Sequence, residues 1–143
     1  KVINKYYLKK NTKKQMEEMM SNLFFTEDHE WVRLEGKQVY LGISDYAQSQ
    51  LGDIVYVELP EEDDEVSAGD SVGVIESVKS ASDLFTPVSG IVVEVNEELE
   101  DAPELLNEDA MENWIVAIEI NNESELEELM DEDEYKNFLG DEA

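Results

Sequence analysis

At 143 residues the chain has the length of one domain with a substantial core. Its 37 acidic and 10 basic residues give a formal net charge of -27, which argues against nucleic acid and anionic membranes as partners, since phosphate contacts need Lys and Arg. The absence of Cys rules out disulfides and thiolate metal sites, and a single His cannot build a zinc site unaided.

Six lysines (Lys1, Lys5, Lys9, Lys10, Lys13, Lys14) lie in the first fourteen positions, leaving Arg33, Lys37, Lys79 and Lys136 for the rest. Residues 1–19 lack a sustained apolar period and are expected to be a disordered extension. The single domain is expected over 20–143, with a natural start at Met19 or Met20. The leading stretch has neither Arg nor Ser, unlike a mitochondrial leader, so a prokaryotic cytoplasm is expected. No run is apolar over the length a membrane helix needs. The acidic surface fits plain solubility or a salty environment as well as steering towards basic partners.

A short lead-in from Phe24 precedes a strand at Trp31–Leu34. Gly36-Lys37 turns the chain into a returning strand, Gln38–Ile43, so the pair reads as a hairpin. Ser44 can cap a helix through Leu51, with Asp45 favourable in its first turn. Gly52-Asp53 breaks that helix before a strand at Asp53–Leu59. Glu61–Glu65 is a solvated loop without the ligand spacing of an EF-hand.

Ser67–Asp70 is a turn, and Ser71–Val78 is rich in β-branched residues and reads as a strand. Leu84-Phe85-Thr86-Pro87 leads to a second strand, Gly90–Val95. Lys79 is expected where these two strands meet, among small residues. It is the only basic residue between Lys37 and Lys136. An isolated lysine at such a junction suits modification by another enzyme, although most exposed lysines are simply solvated.

After Val95 the chain is acidic and irregular, with a short helix from Pro103. Asn113–Ile120 is a last strand. Ser124 and Glu127 form a capping-box pattern opening a helical tail with Leu126, Leu129 and Met130 on one face. A break near Asp131 precedes Tyr135, Phe138 and Leu139, and Gly140 ends the helix. The whole is mainly β, a barrel or sandwich with short helices at its edges. Trp31 and Trp114 are expected in the core, and His29 is expected to hydrogen-bond within the fold.

Several separated motifs share order and spacing with one family. They are His29-Glu30-Trp31-Val32, Gly42-Ile43-Ser44-Asp45-Tyr46-Ala47-Gln48, and Leu51-Gly52-Asp53-Ile54-Val55-Tyr56-Val57-Glu58-Leu59-Pro60. Then come Ser67-Ala68-Gly69-Asp70, Glu76-Ser77-Val78-Lys79 with Ser82-Asp83, and Pro87-Val88-Ser89-Gly90. Pro103-Glu104-Leu105-Leu106-Asn107 and Trp114-Ile115 complete the set. From about Phe24 to Leu139 the chain resembles the H protein of the glycine cleavage system, a family of lipoyl carriers.

The resemblance implies a lipoyl/biotinyl-like hybrid barrel-sandwich with short flanking helices and a C-terminal helix. It implies lipoic acid linked covalently to Lys79 as N6-lipoyl-lysine, with no catalytic residue of the chain's own and no metal. Glu76, Ser77 and Val78 match positions by which the lipoate-attaching enzyme can choose the lysine. Glu30 and Asp83 match positions that can line a cleft for the loaded arm. The implied partners are the glycine decarboxylase, the tetrahydrofolate-dependent aminomethyltransferase and dihydrolipoyl dehydrogenase. The carrier takes an aminomethyl group from the first to the second and is reoxidised by the third.

The chain departs from the family pattern at Tyr46, where His is frequent. It also departs at Ser80, where Ala is common, and between Asn107 and Trp114, where Pro and Gly are missing. Four other readings compete. One is an H-like donor or acceptor of lipoyl or octanoyl groups in lipoate assembly. Another is a biotin carrier or a lipoyl domain of a 2-oxoacid dehydrogenase, though Val78 and Ser80 are not the usual lysine neighbours there. The third is an enzyme using Ser77 or Ser80 with Lys79, which would need a buried lysine and an oxyanion hole. The last is an acidic docking module in which Lys79 stays unmodified.

Overall fold

The computed structural model describes residues 22–140; the expectations for residues 1–19 lie outside that span. Among the described residues, nine strands form two antiparallel sheets. The larger sheet uses β1 (Leu23–Phe25), β2 (Glu30–Glu35), β3 (Gln38–Ile43), β5 (Glu65–Val66), β8 (Gly90–Val95) and β9 (Val116–Ile120). Their order is β1-β2-β3-β9-β8-β5. The smaller sheet has β4 (Ile54–Glu58), β6 (Ser71–Ser77) and β7 (Ala81–Phe85), ordered β4-β6-β7. This is the mainly β barrel-sandwich expected, with short helices at its edges: α1 (Asp45–Leu51), α2 (Glu98–Asp101), α3 (Leu105–Glu108), a 3-10 turn (Glu123–Glu128) and α4 (Glu132–Leu139). Among the described residues, no helix is long and apolar enough to cross a membrane.

Period-2 alternation builds the core. Val39, Leu41 and Ile43 on β3 point inward with Val32 on β2 and Ile118 on β9. Ile75 and Leu84 meet them from the smaller sheet. Each such side chain, fully buried, contributes about 1.5–3 kcal/mol. A second cluster lies on the outer face of the larger sheet, where Leu23, Phe25, Trp31 and Met111 pack under Tyr135 and Leu139 of α4. Trp31 stands opposite Gly42 in the β2–β3 register. A Cβ at Gly42 would lie 2.6 Å from the indole, so only glycine lets the ring lie flat there. The Trp31 Nε1–H donates to the Ala110 carbonyl at 3.1 Å. Trp114 is half-buried and packs edge-on against Tyr40.

Caps set the helix starts. Ser44 Oγ accepts from the Ala47 amide, as its sequence position implied. The expected capping box at Ser124 and Glu127 is not formed. Asn122 caps a 3-10 turn there, and the reciprocal box is made by Asp131 and Glu134 at the start of α4. Residues 98–101, read as irregular, form one helical turn around buried Leu99. The last strand begins at Val116 rather than Asn113.

The largest difference concerns Lys79. Its hairpin partner is not Gly90–Val95 but β7, Ala81–Phe85, which pairs with β6 from Ser71↔Phe85 to Glu76↔Ala81. Strand β8 instead pairs with β9 and β5 in the other sheet.

Candidate functional site

The tip of the β6–β7 hairpin is Ser77-Val78-Lys79-Ser80. The Ser77 amide donates to the Ser80 carbonyl at 2.8 Å. The Ser77 hydroxyl accepts from the amides of Lys79 (3.2 Å) and Ser80 (3.1 Å). A serine side chain thus holds the turn that a Gly or Asn would otherwise make. The Val78 amide donates to the Asp53 carbonyl at 2.9 Å, which pins the tip to the start of β4. Lys79, Val78 and Ser80 are exposed, as is Glu76 on the outer face of the sheet.

The platform beside the tip is built by α1 and α3. Gly52 ends α1 with φ +81°, a left-handed value that glycine adopts without strain. A Cβ there would come within 3.2 Å of Lys79 Cε, so Gly52 also leaves room for the lysine stem. Asn107 ties the platform together. Its amide nitrogen donates to Gln48 Oε1 (2.8 Å) and the Gly52 carbonyl (2.9 Å), and its Oδ1 accepts from the Ile54 amide (2.9 Å). Sequence reading met Asn107 only as the end of a motif; nothing in its neighbours pointed to contacts more than fifty positions away.

Beside the hairpin lies a cleft of about 180 Å³. Glu30 and Asp83 both line it, together with Asp28, His29, Tyr46 and Gln50. The two residues named from sequence are therefore brought together, while Lys79 stands at the tip outside the lining set. Asp28 and Gln50 were not foreseen. Asp83 is exposed and accepts from the Ser71 hydroxyl at 3.1 Å. Glu30 is only 3% exposed. Its Oε1 accepts from Thr26 Oγ1 (2.8 Å) and its Oε2 from the Phe85 amide (2.9 Å). Burial pushes its carboxyl up from 4.5 to about 7; the two hydrogen bonds pull the other way, and Asp28 adds a smaller upward push.

His29 sits at one wall with a left-handed φ of +71°. Its Nδ1 shares a 2.8 Å hydrogen bond with the Tyr135 hydroxyl, which also bonds Ser44 Oγ at 2.8 Å. The expected structural hydrogen bond is present, and it joins the C-terminal helix to the cap of α1. Burial raises the Tyr135 hydroxyl above its ordinary pKa.

A Ser–Lys nucleophile finds no support in this geometry, since Lys79 is exposed and the Ser77 hydroxyl is committed to the turn. Among the described residues, no group of three or more His, Asp or Glu is placed to hold a metal ion.

A family model described as the glycine cleavage H-protein matches residues 23–142. The chain belongs to the glycine cleavage H-protein family. A glycine cleavage system H protein from Alkaliphilus oremlandii is 57% identical over 124 residues, covering 87% of this chain and 98% of the relative. One from Staphylococcus haemolyticus is 53% identical over 122 residues, covering 85% and 97%. The crystal structure of a glycine cleavage system H protein from Mycobacterium marinum superposes with a TM-score of 0.76 at 36% identity, covering 83% of this chain and 97% of that one. Family membership spans both the hairpin and the cleft.

Proposed function

We propose that this chain is the lipoyl-bearing shuttle of the glycine cleavage system, with the group held as an amide on Lys79. One observation carries the assignment within the family: Lys79 is exposed at the tip of a braced hairpin, and it is the only basic residue between Lys37 and Lys136. Among the described residues, no carboxylate lies within ion-pairing distance of its amine. The stem has room beside Gly52, so the site fits a long substituent on Nζ. The assembly-donor alternative is not favoured, because relatives 51–57% identical to this chain carry the glycine cleavage name.

When attached, the group supplies a dithiolane that takes up an aminomethyl fragment and is later reoxidised. The chain's own residues position and shelter. Ser77 and the Val78–Asp53 bond fix the base of the arm. Glu76, Ser77 and Val78 present the lysine to the lipoate-attaching enzyme. Glu30 and Asp83 offer carboxylates to an amine arriving in the cleft, and Glu30 gives up its proton as that positive charge approaches. The glycine decarboxylase, the aminomethyltransferase and dihydrolipoyl dehydrogenase are the three stations. The place of work is the bacterial cytoplasm.

The test is intact mass with peptide mapping on protein from its native source. One lipoyl increment on Lys79, absent in Lys79→Arg, is the expected result. An unmodified Lys79, in cells that lipoylate other proteins, overturns the reading. Glu30→Ala and Asp83→Ala are each expected to shorten the lifetime of the loaded arm several-fold, at about 1.4 kcal/mol per factor of ten. Mass spectrometry of the loaded species over time measures this, and unchanged decay removes both residues from the role.

A further inference from the structure

Strand β4 interrupts its own alternation beside the hairpin tip. Its register against β6 slips between Ile54 and Tyr56. A bulge of this kind turns consecutive side chains the same way. Ile54 (3% exposed) and Val57 (1%) stay in the core, while Val55 (53%) and Tyr56 (47%) both face solvent. Val78, at 66%, is exposed one position before Lys79. The Val78 amide is bonded to the Asp53 carbonyl, and Ile54 pairs with Ser77, so Val55 and Val78 belong to the same end of the sheet. Tyr56 pairs directly with Glu76. Three exposed apolar side chains thus lie at the hairpin-tip end of the smaller sheet, on its β4 side. The β7 flank offers Ser80, Ala81, Ser82 and Asp83, all exposed and small or polar.

The rim of this patch is acidic, with Glu58 exposed on β4 and Glu76 on β6. The lysine stem lies towards the same flank, over Gly52. We propose that Val55 and Tyr56 are docking residues for the lipoate-attaching enzyme, whose matching surface is apolar and ringed by Lys or Arg. The inference rests on the carrier reading above and adds to it the face by which Lys79 is presented. It commits to the attaching enzyme because that enzyme works at Nζ itself and must close over the base of the arm. The other partners work at the far end of the attached group. In the attachment step a neutral Nζ attacks the carbonyl carbon of an acyl adenylate. The new C–N bond forms as the bond to AMP breaks, and the nitrogen's proton leaves to solvent.

The experiment compares rates of lipoylation of the full, unmodified chain by the lipoate-attaching enzyme of the same organism, given lipoate and ATP and read by intact mass. The double variant Val55→Thr with Tyr56→Thr keeps residues that suit a strand. It is expected to lower kcat/KM about tenfold, the usual effect of losing an interface anchor. Ile91→Thr with Val93→Thr removes exposed apolar residues from β8 in the other sheet and is expected to leave the rate unchanged. If the double variant melts early, the single variants V55T and Y56T, each changing one exposed side chain, carry the comparison. Equal rates for the β4 variants and wild type overturn the docking inference and leave the carrier reading intact. A wild-type chain that gains no lipoyl group on Lys79 overturns the carrier reading itself.

Discussion

Glu30 is held in two opposing ways. It is buried, which disfavours its charge, and it accepts two hydrogen bonds, which favour it. The result is a carboxyl that titrates at about 7 in the folded chain against an ordinary value of 4.5. Below 4.5 both folded and unfolded chains hold the proton, so the position adds no pH dependence and its contribution to stability is fully present. Above 4.5 the unfolded chain releases it first, so the folded state loses ground until about 7 and then the loss levels off. The loss is on the order of 3 kcal/mol. Glu30→Gln removes this titration. Urea unfolding of both proteins at pH 4 and pH 8 is expected to show wild type falling relative to the variant by that order; parallel curves would contradict the assignment. Lys79 stands out in the sequence by its electrical isolation and its motif, and the structure places it exposed at a hairpin tip. Glu30 was legible only as part of a motif, because its partner amide at Phe85 lies 55 positions away and belongs to the other sheet.

At the scale of elements, the β6–β7 hairpin shows why local signals misplace a strand. Ala81-Ser82-Asp83 carries little β-propensity, whereas Gly90–Val95 carries a great deal. The tip has no Gly or Asn, since the Ser77 hydroxyl replaces the usual turn chemistry. Local rules therefore favour the stronger strand as the partner, although it pairs elsewhere. The β2–β3 hairpin and the cap of α1 were legible because both obey local rules. Helix α4 was legible from its break at Asp131 and its stop at Gly140. Its docking was not, because it depends on Tyr135 reaching His29 and Ser44. Tyr135→Phe keeps the stacking on Phe25 and removes both hydrogen bonds. It is expected to cost about 1–3 kcal/mol, since buried polar partners lose their mate. The urea midpoint measures this, and an unchanged midpoint would show that the hydroxyl contributes nothing to docking.

For the whole molecule the dominant electrostatic fact is self-repulsion. A net charge of -27 opposes compaction at low ionic strength. Among the described residues, Arg33 pairs with Glu35 at 2.9 Å, which offsets little of it. Raising salt from about 0.01 M to about 1 M shortens the screening length from ~30 Å to ~3 Å. Thermal stability is therefore expected to rise across that range, with sodium chloride and without any specific ligand. A melting temperature that falls or stays flat would mean the charges are already dispersed well enough not to matter. Partner association is expected to weaken over the same range, because the acidic rim near Lys79 steers only at long screening lengths.

The hydrogen bond between Glu30 and Phe85 crosses from the larger sheet to the smaller one. It gives the cleft a built-in spectroscopic gauge. An amide proton donated to a carboxyl shifts its resonance as that carboxyl gains or loses charge. The Phe85 amide is expected to titrate with a midpoint of about 7, the value set by Glu30, and to stay still in E30Q. Adding a cation to the cleft at constant pH would move the same peak. On the cleft role proposed for Glu30, the amine of a loaded arm is expected to move this one NMR signal as well.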